Sequence, residues 1–357
     1  MKKNKKTRAK KVGLAPGTLI HVGEVKTRQP DVHVMEYGQD FLQERDLDIA
    51  RIAEYEPPKT GKVWFNVHGL HNAKLIGDIG AKFGLHPLVQ EDILHTDQRP
   101  KVDAYDRYLY IVTRFFSFDQ NQNALVSEQI SLILGKGFVL SFQERPTGTF
   151  EPLRERLRNG RGHIRQAGAD YLTYALLDVI VDGYFSTLEK IGDECEALED
   201  LLLRNPCPDQ LHELHRLKRE NMELRHSIWP LRDVINELIR NDHDFFERET
   251  LIFLRDVYDH TIHLIESLEA IRDLLGGMLD IYLSSISNRV NMEVRTLTVV
   301  TMLFMPATLI TGIFGMNFDV MPWVKDSQGF WWVIGLIVGL LSSMGLFFWR
   351  RQWLSRH

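Results

Sequence analysis

At 357 residues the chain is too long for one minimal domain. With 25% charged residues and a mean hydropathy of −0.20, its average describes a soluble protein. That average hides a split, because 296–318 and 327–349 carry no charged side chain while almost all the charge lies before them. The net charge is −5, yet Lys2, Lys3, Lys5, Lys6, Arg8, Lys10 and Lys11 crowd the first stretch, so the remaining body is more acidic than the total suggests. An acidic body favours cations as partners and argues against nucleic acid. The basic tail, 1–15, lacks the apolar centre of a signal peptide and reads as disordered. Cys195 and Cys207 offer neither a disulfide framework nor metal-ligand spacing, and read as reduced thiols.

Taken in order, 31–37, 62–67, 108–116, 127–134 and 137–143 read as strands, with Gly135-Lys136-Gly137 turning between the last two. Helices fit 72–83, 86–94 and a segment starting near Thr149 with Pro152 in its first turn. These elements give an α/β domain over 16–165. The pattern then changes to long helices. Leu172, Leu176, Val179, Ile180, Leu188 and Ile191 form a 3.6-residue apolar stripe, with Glu189, Asp193, Glu194, Glu196, Glu199 and Asp200 outside it. Asn205-Pro206-Cys207-Pro208 breaks this helix. A second helix over 209–240 carries Arg216, Lys218, Arg219 and Arg225, so the two are expected to form an antiparallel hairpin, 166–245, with complementary charge. Pro230 is expected to kink the second helix.

A third helix starts near Phe246 and has no proline until Pro306. Continued to Gly312 it would be roughly 100 Å long at ~1.5 Å per residue, which suits a stalk running into a membrane span. The stalk is assigned to 246–295, a first span to 296–315, a loop to 316–328, a second span to 329–349 and a basic tail to 350–357. Trp331, Trp332 and Trp349 mark the ends of the second span. Arg289 and Arg295 precede the first span and Arg350, Arg351 and Arg356 follow the second, while the loop holds Lys325 against Asp319 and Asp326. The positive-inside rule then puts both termini and the acidic body in the cytoplasm.

One hairpin cannot enclose water, so a conducting protein of this plan needs a ring of subunits. Asn291, Val294, Leu297, Thr301, Met305, Thr308 and Gly312 step by threes and fours along one helix face that mixes apolar and small polar residues. The same periodicity would also serve ordinary helix packing. The second span, with Ile334, Leu336, Ile337, Val338, Leu340 and Leu341, suits lipid.

Gly315-Met316-Asn317, just beyond a proline-containing span and before another, resembles the CorA family of divalent metal ion transporters. Further segments carry the likeness: His86-Pro87-Leu88, Glu91-Asp92-Ile93-Leu94, Gln98-Arg99-Pro100-Lys101, Trp229-Pro230-Leu231-Arg232, Arg255-Asp256-Val257-Tyr258-Asp259-His260 and Tyr282-Leu283-Ser284-Ser285. The similarity runs from about Pro16 to the C-terminus, close to the bacterial members of known structure. It implies an α+β cytoplasmic domain, a mixed sheet with helices on its faces, followed by stalk helices and a transmembrane hairpin. It also implies a homopentameric funnel in a bacterial inner membrane, passing Mg²⁺, Co²⁺ and Ni²⁺. On that reading Asn317 holds the hydrated ion at the mouth, with Gly315 and Gly312 shaping the turn and Met316 beside it. Thr308 and Asn291 would contact water shells further down, Thr301 would line the pore, and Met305 and Leu297 would form apolar constrictions. Two positions depart from the family: Met321-Pro322-Trp323-Val324 lacks the usual loop glutamate, leaving Asp319 and Asp326, and Phe314 replaces a common tyrosine.

The resemblance further implies a regulatory Mg²⁺ between neighbouring subunits, held by Asp92 and Asp256, with Glu91, Asp178 and Asp259 near it. Asp256 and Asp259 share a helix face, although spacing alone is equally that of surface charges paired to arginine. His260, His263, His226, His243, His68 and His71 form no convincing ligand set by spacing. A zinc transporter of the ZntB type shares the architecture and remains an alternative. A cytoplasmic sensor or metalloenzyme on a passive anchor is a further one, but 1–165 shows no convergent catalytic cluster and the chain has no phosphate loop, so no enzymatic activity is expected.

Overall fold

A computed structural model describes residues 13–58, 60–119, 124–160, 162–204, 206–240, 244–316 and 328–351. Most of the basic tail, the loop with Asn317, Asp319, Trp323 and Asp326, and His243 and Arg356 lie outside the described residues.

Alternation of side chains across strands builds the first core. The strands are β1 (Asp31–Tyr37), β2 (Leu42–Asp46), β3 (Lys62–His68), β4 (Lys101–Tyr105), β5 (Tyr108–Asp119), β6 (Ala124–Gly135) and β7 (Phe138–Gln143). They join in one sheet of order β2-β1-β3-β7-β6-β5-β4, where only the β3–β7 pairing is parallel. Register lines up Val34, Phe65, Leu140, Ile133 and Tyr110 on one face, and Met35, Trp64, Val139, Leu134 and Leu109 on the other. All ten are buried. The first row packs with Leu75, Ile76 and Ile79 of α1 (Ala73–Phe83) and Val89 and Ile93 of α2 (Pro87–Leu94). The second face meets Phe150, whose ring stands edge-on to Trp64 just before α3 (Glu151–Asn159), and Tyr184 of α4 (Ala169–Arg204), whose hydroxyl donates to the Arg114 carbonyl. Covering both faces is what makes the strands read as apolar runs rather than as clean alternation.

The expected strands and helices form, and two strands add to them. β2 and β4 are short edge strands: LQERD is polar after its first residue, and KVDAY alternates over only five residues with Val102 and Ala104 on its apolar face, too short a signal to reveal it. The proposed hairpin helices are α4 and α5 (Pro208–Arg240). Arg216 of α5 reaches Glu194 of α4 as well as Glu213 and Glu220 on its own helix, so the charge complementarity is concentrated on one guanidinium. α5 runs through Pro230 as one helix. The next helix, α6 (Arg248–Phe314), is unbroken for 67 residues, Gly276 and Gly277 included. α7 (Gly329–Arg350) follows. Both are long and apolar enough to cross a membrane.

The chain divides into two compact units: that up to Glu199 with His212–Gly276, and Asp200–Leu211 with everything from Gly277 onward. The first contains the sheet. The second contains the two candidate spans.

Glu128 of β6 is a buried carboxyl in the first unit, 1% exposed, with the Arg145 Nε 3.9 Å away. Burial pushes its pKa up to about 7; Arg145 and Lys26 pull it down, and Glu144 pushes it up. Because the folded pKa exceeds the unfolded one, its contribution to stability is complete below about pH 4.5 and is lost as pH rises through about 7. Glu128→Gln is therefore expected to raise the thermal midpoint of the detergent-solubilised chain by roughly 2–6 °C at pH 8 and by almost nothing near pH 5. Equal shifts at both pH values, read by circular dichroism, would remove the charge as the cause.

Candidate functional site

Two groups of expected site residues lie in the first unit. Asp92 and Glu91 sit on α2, whose start is set by Pro87 in its first turn and by His86, whose Nδ1 accepts from the Leu88 amide at 3.2 Å. Both oxygens of Asp92 are engaged. Oδ1 accepts from the Gln98 amide nitrogen at 2.8 Å and Oδ2 from Lys101 Nζ at 2.7 Å. The same ammonium donates to Asp103 Oδ2 at 2.6 Å. Burial acts to lower the Lys101 pKa, but the hydrogen bonds to Asp103 and Asp92 outweigh it and raise it. Glu91 accepts from the Gly17 amide at 2.5 Å.

The second group joins α4 to α6. Asp178 and Asp182, one turn apart on α4, meet His260 of α6 with a ligand atom from each lying within 4.8 Å of the others. Asp256, one turn before His260, places Oδ2 3.9 Å from its Nε2. Burial, then the Asp182 charge, raises the Asp178 pKa to about 6; Asp256 adds to this, while His260 and Arg156 oppose it. Carboxylates that crowd one another in this way are short of positive charge, which is the electrostatic condition for holding a divalent cation. The two carboxylates are donors that suit Mg²⁺, whereas the imidazole suits borderline transition metals such as Co²⁺.

This grouping corrects the reading of the histidines. His260 lies in a group that could hold a metal, and Asp182, which was not among the residues singled out from the sequence, is its third member. The i, i+4 pair of aspartates is visible in the sequence, but its meeting with a histidine 78 positions beyond Asp182 depends on how α4 packs on α6. Of the residues expected to share a regulatory ion, Asp178 and Asp256 come together here. Asp92 and Glu91 stand outside this ligand group, and Asp259 is exposed on α6.

In the second unit, α6 has two unlike faces. Val299, Leu303, Pro306, Ala307, Ile310 and Phe314 are buried or half-buried. Asn291, Leu297, Thr301, Met305, Thr308 and Gly312 are exposed, Leu297 at 67% and Met305 at 64%. Between 297 and 314 the centres of the two sets lie about 170° apart at ~100° per residue. On α7 Val333, Ile337, Leu340, Leu341, Met344 and Phe348 are the covered set, repeating the same 4-3-1-3-4 spacing. These are the rows by which helices pack. The stripe read from the sequence lies within the exposed part of α6, which also takes in Val300, Met302, Phe304, Leu309 and Ile313, and an open groove runs past Thr301, Phe304, Met305, Thr308 and Leu309 to Met316.

The hydroxyls on α6 have a common geometry. Thr301 donates to the Leu297 carbonyl at 2.8 Å, Thr308 to Phe304 at 2.9 Å and Thr311 to Ala307 at 3.1 Å. Each proton is spent on the carbonyl one turn back, so what each oxygen has left to offer is a lone pair. Of the two glycines, Gly312 lies within the helix and Gly315 in the turn that follows it. Neither Gly312 nor Gly315 has positive φ. Gly312 is helical with open space where a Cβ would be, whereas a Cβ at Gly315 would stand 3.1 Å from the Thr311 carbonyl. Gly315 is therefore small because the helix's last turn passes close to it, its amide donating to Thr311 at 2.9 Å.

Comparison with known proteins agrees with this architecture. The family model described as CorA-like Mg²⁺ transporter protein matches residues 59–352. The chain is 42% identical over 351 residues to the cobalt/magnesium transport protein CorA of Thermotoga maritima, covering 98% of this chain and 99% of that protein. It is 25% identical over 293 residues to the cobalt/magnesium transport protein CorA of Methanocaldococcus jannaschii, covering 82% and 91%. The complete structure of the CorA magnesium transporter from Methanocaldococcus jannaschii superposes with a TM-score of 0.78 at 23% identity, over 90% of this chain and 98% of that one. A mixed sheet with helices on its faces, a long helix and a C-terminal apolar helix are thus shared along nearly the whole length, and the chain belongs to the CorA family of Mg²⁺/Co²⁺ transporters.

Proposed function

We propose that this chain transports Mg²⁺ and Co²⁺, with Ni²⁺ as a further substrate, as a passive channel-like homopentamer whose pore is lined by the exposed face of α6. It acts as a transporter rather than an enzyme, as its relatives do. The observation that carries the pore is the uncovered stripe itself, a mixed polar and apolar face on a helix whose opposite side is already covered. Five copies of that stripe around an axis would enclose a path.

The threonines suit a hydrated ion. Mg²⁺ gives up its water reluctantly. Its bound waters point their protons outward, so a wall that recognises the hydrated ion must accept hydrogen bonds. Thr301 and Thr308 have their protons committed to the backbone and can meet those waters only as acceptors. Asn291 and the Asn317 side-chain oxygens would serve the same way at the two ends. The absence of charge on the stripe lets the ion leave again. Rings of Leu297 and Met305 would dewet and close the path. With both termini in the cytoplasm, the membrane potential drives entry, worth roughly 4.6 kcal/mol for a divalent ion at about 100 mV.

The carboxylates supply the gate. Asp92 with Glu91 on one subunit, and Asp256 with Asp178 and Asp259 on the next, would hold cytoplasmic Mg²⁺ between them. The fit is supported by the crowding of Asp178, Asp182 and Asp256 around His260. When bound, the ion neutralises carboxylates that otherwise repel across the interface. High internal Mg²⁺ then stabilises the closed ring, and its loss loosens the stalk.

Reconstituted into liposomes, the wild type is expected to take up Mg²⁺ and Co²⁺ with an inside-negative potential, and Asn317→Ala to lose at least about tenfold of that rate. Full uptake by the variant would remove Asn317 from the mouth, and competition by Zn²⁺ above both metals would favour the ZntB-type reading. Asp256→Lys is expected to conduct at internal Mg²⁺ concentrations that silence the wild type; unchanged inhibition would rule out the gate.

A further inference from the structure

We propose that Lys101 is a built-in counter-cation for Asp92, which a divalent cation must displace onto Asp103 before it can use that carboxylate. The inference rests on the gate reading above and deepens it. Asp92 is not an open ligand, since Lys101 caps one oxygen at 2.7 Å and Gln98 the other at 2.8 Å. Gln98 is neutral and need not leave for charge reasons. Lys101 must, because an ammonium and a divalent cation cannot share one carboxylate oxygen without strong repulsion.

The ammonium has somewhere to go. Lys101 and Asp103 are two residues apart on β4, hence on one face of the strand, and already 2.6 Å apart. Metal capture is then an exchange: Lys101 keeps one of its two carboxylates and cedes the other, so it is never stripped into a site without a counter-charge. The ammonium also lies over an aromatic ring, with Nζ 5.5 Å from the centroid of Tyr110. Lys101 and Asp92 are 35% and 25% exposed, so the pair is screened enough to be exchanged. The affinity of the gate is thereby set by a tug between two aspartates for one lysine.

The two sides of the tug have opposite signs. Lys101→Met removes the competitor, and the Mg²⁺ concentration giving half-maximal thermal stabilisation of the detergent-solubilised full-length protein is expected to fall roughly 3- to 10-fold. Asp103→Asn leaves Asp92 as the sole holder of Lys101, and the midpoint is expected to rise by a similar factor. Arg99→Gln, a change of the same charge on an exposed neighbour two residues away, controls for the general field and is expected to leave the midpoint within about twofold. Asp92→Asn is expected to raise it. Unmoved midpoints in Lys101→Met or Asp103→Asn, or an Arg99→Gln shift as large as that of Lys101→Met, would overturn the exchange while leaving the gate standing. An unmoved midpoint in Asp92→Asn would overturn the gate reading at Asp92 and the exchange with it.

Discussion

The commitment of threonine protons to the backbone is the interaction on which the rest of this structure depends. A hydroxyl in a membrane must satisfy its donor, and on α6 the carbonyl one turn back does so. What is left is a row of acceptors on the exposed part of the helix. In the proposed pore, the same rotamer would satisfy both the lipid and a hydrated cation. No charged residue is required along the stripe, and none is there.

The first unit poses the opposite electrostatic problem. There, carboxylates gather where burial and mutual repulsion make ionisation costly, and the Asp178 pKa of about 6 records that cost. In the proposed gate, a bound divalent cation would relieve it. Asp92 is treated differently, since its charge is already balanced by Lys101 and its geometry held by Gln98. The two groups therefore differ in what binding must overcome: protonation and repulsion around Asp178, and a resident ammonium at Asp92. One long helix, α6, carries Asp256 and His260 in the first unit and the stripe in the second.

Much of the fold was legible from periodicity, because strands buried on both faces and helices of 33 to 67 residues leave long, consistent signals. The edge strands β2 and β4 were not, since each has only five residues, β2 is polar after Leu42 and the apolar side of β4 is only Val102 and Ala104. The stripe on α6 could be read as a face, but which of two faces is covered depends on Val299 and Leu303 being enclosed, and spacing does not contain that. Family likeness named Asp92, Asp178 and Asp256. It held His260 and Lys101 only inside matching segments, with no role given to either, and left Asp182 out; their contacts lie between α4 and α6 and between α2 and β4. Gly315 sits in a turn, as the sequence suggests, and a Cβ there would also stand 3.1 Å from the Thr311 carbonyl.

The account stands or falls on which face of α6 meets the moving ion. Single cysteines along α6, in a chain whose Cys195 and Cys207 have been replaced by serine, can be challenged with a charged thiol reagent during Mg²⁺ uptake into liposomes. Block is expected at Thr301→Cys, Thr308→Cys and Gly312→Cys, and none at Leu303→Cys or Ile310→Cys. Block at Leu303 and Ile310 with the stripe left untouched would contradict the account.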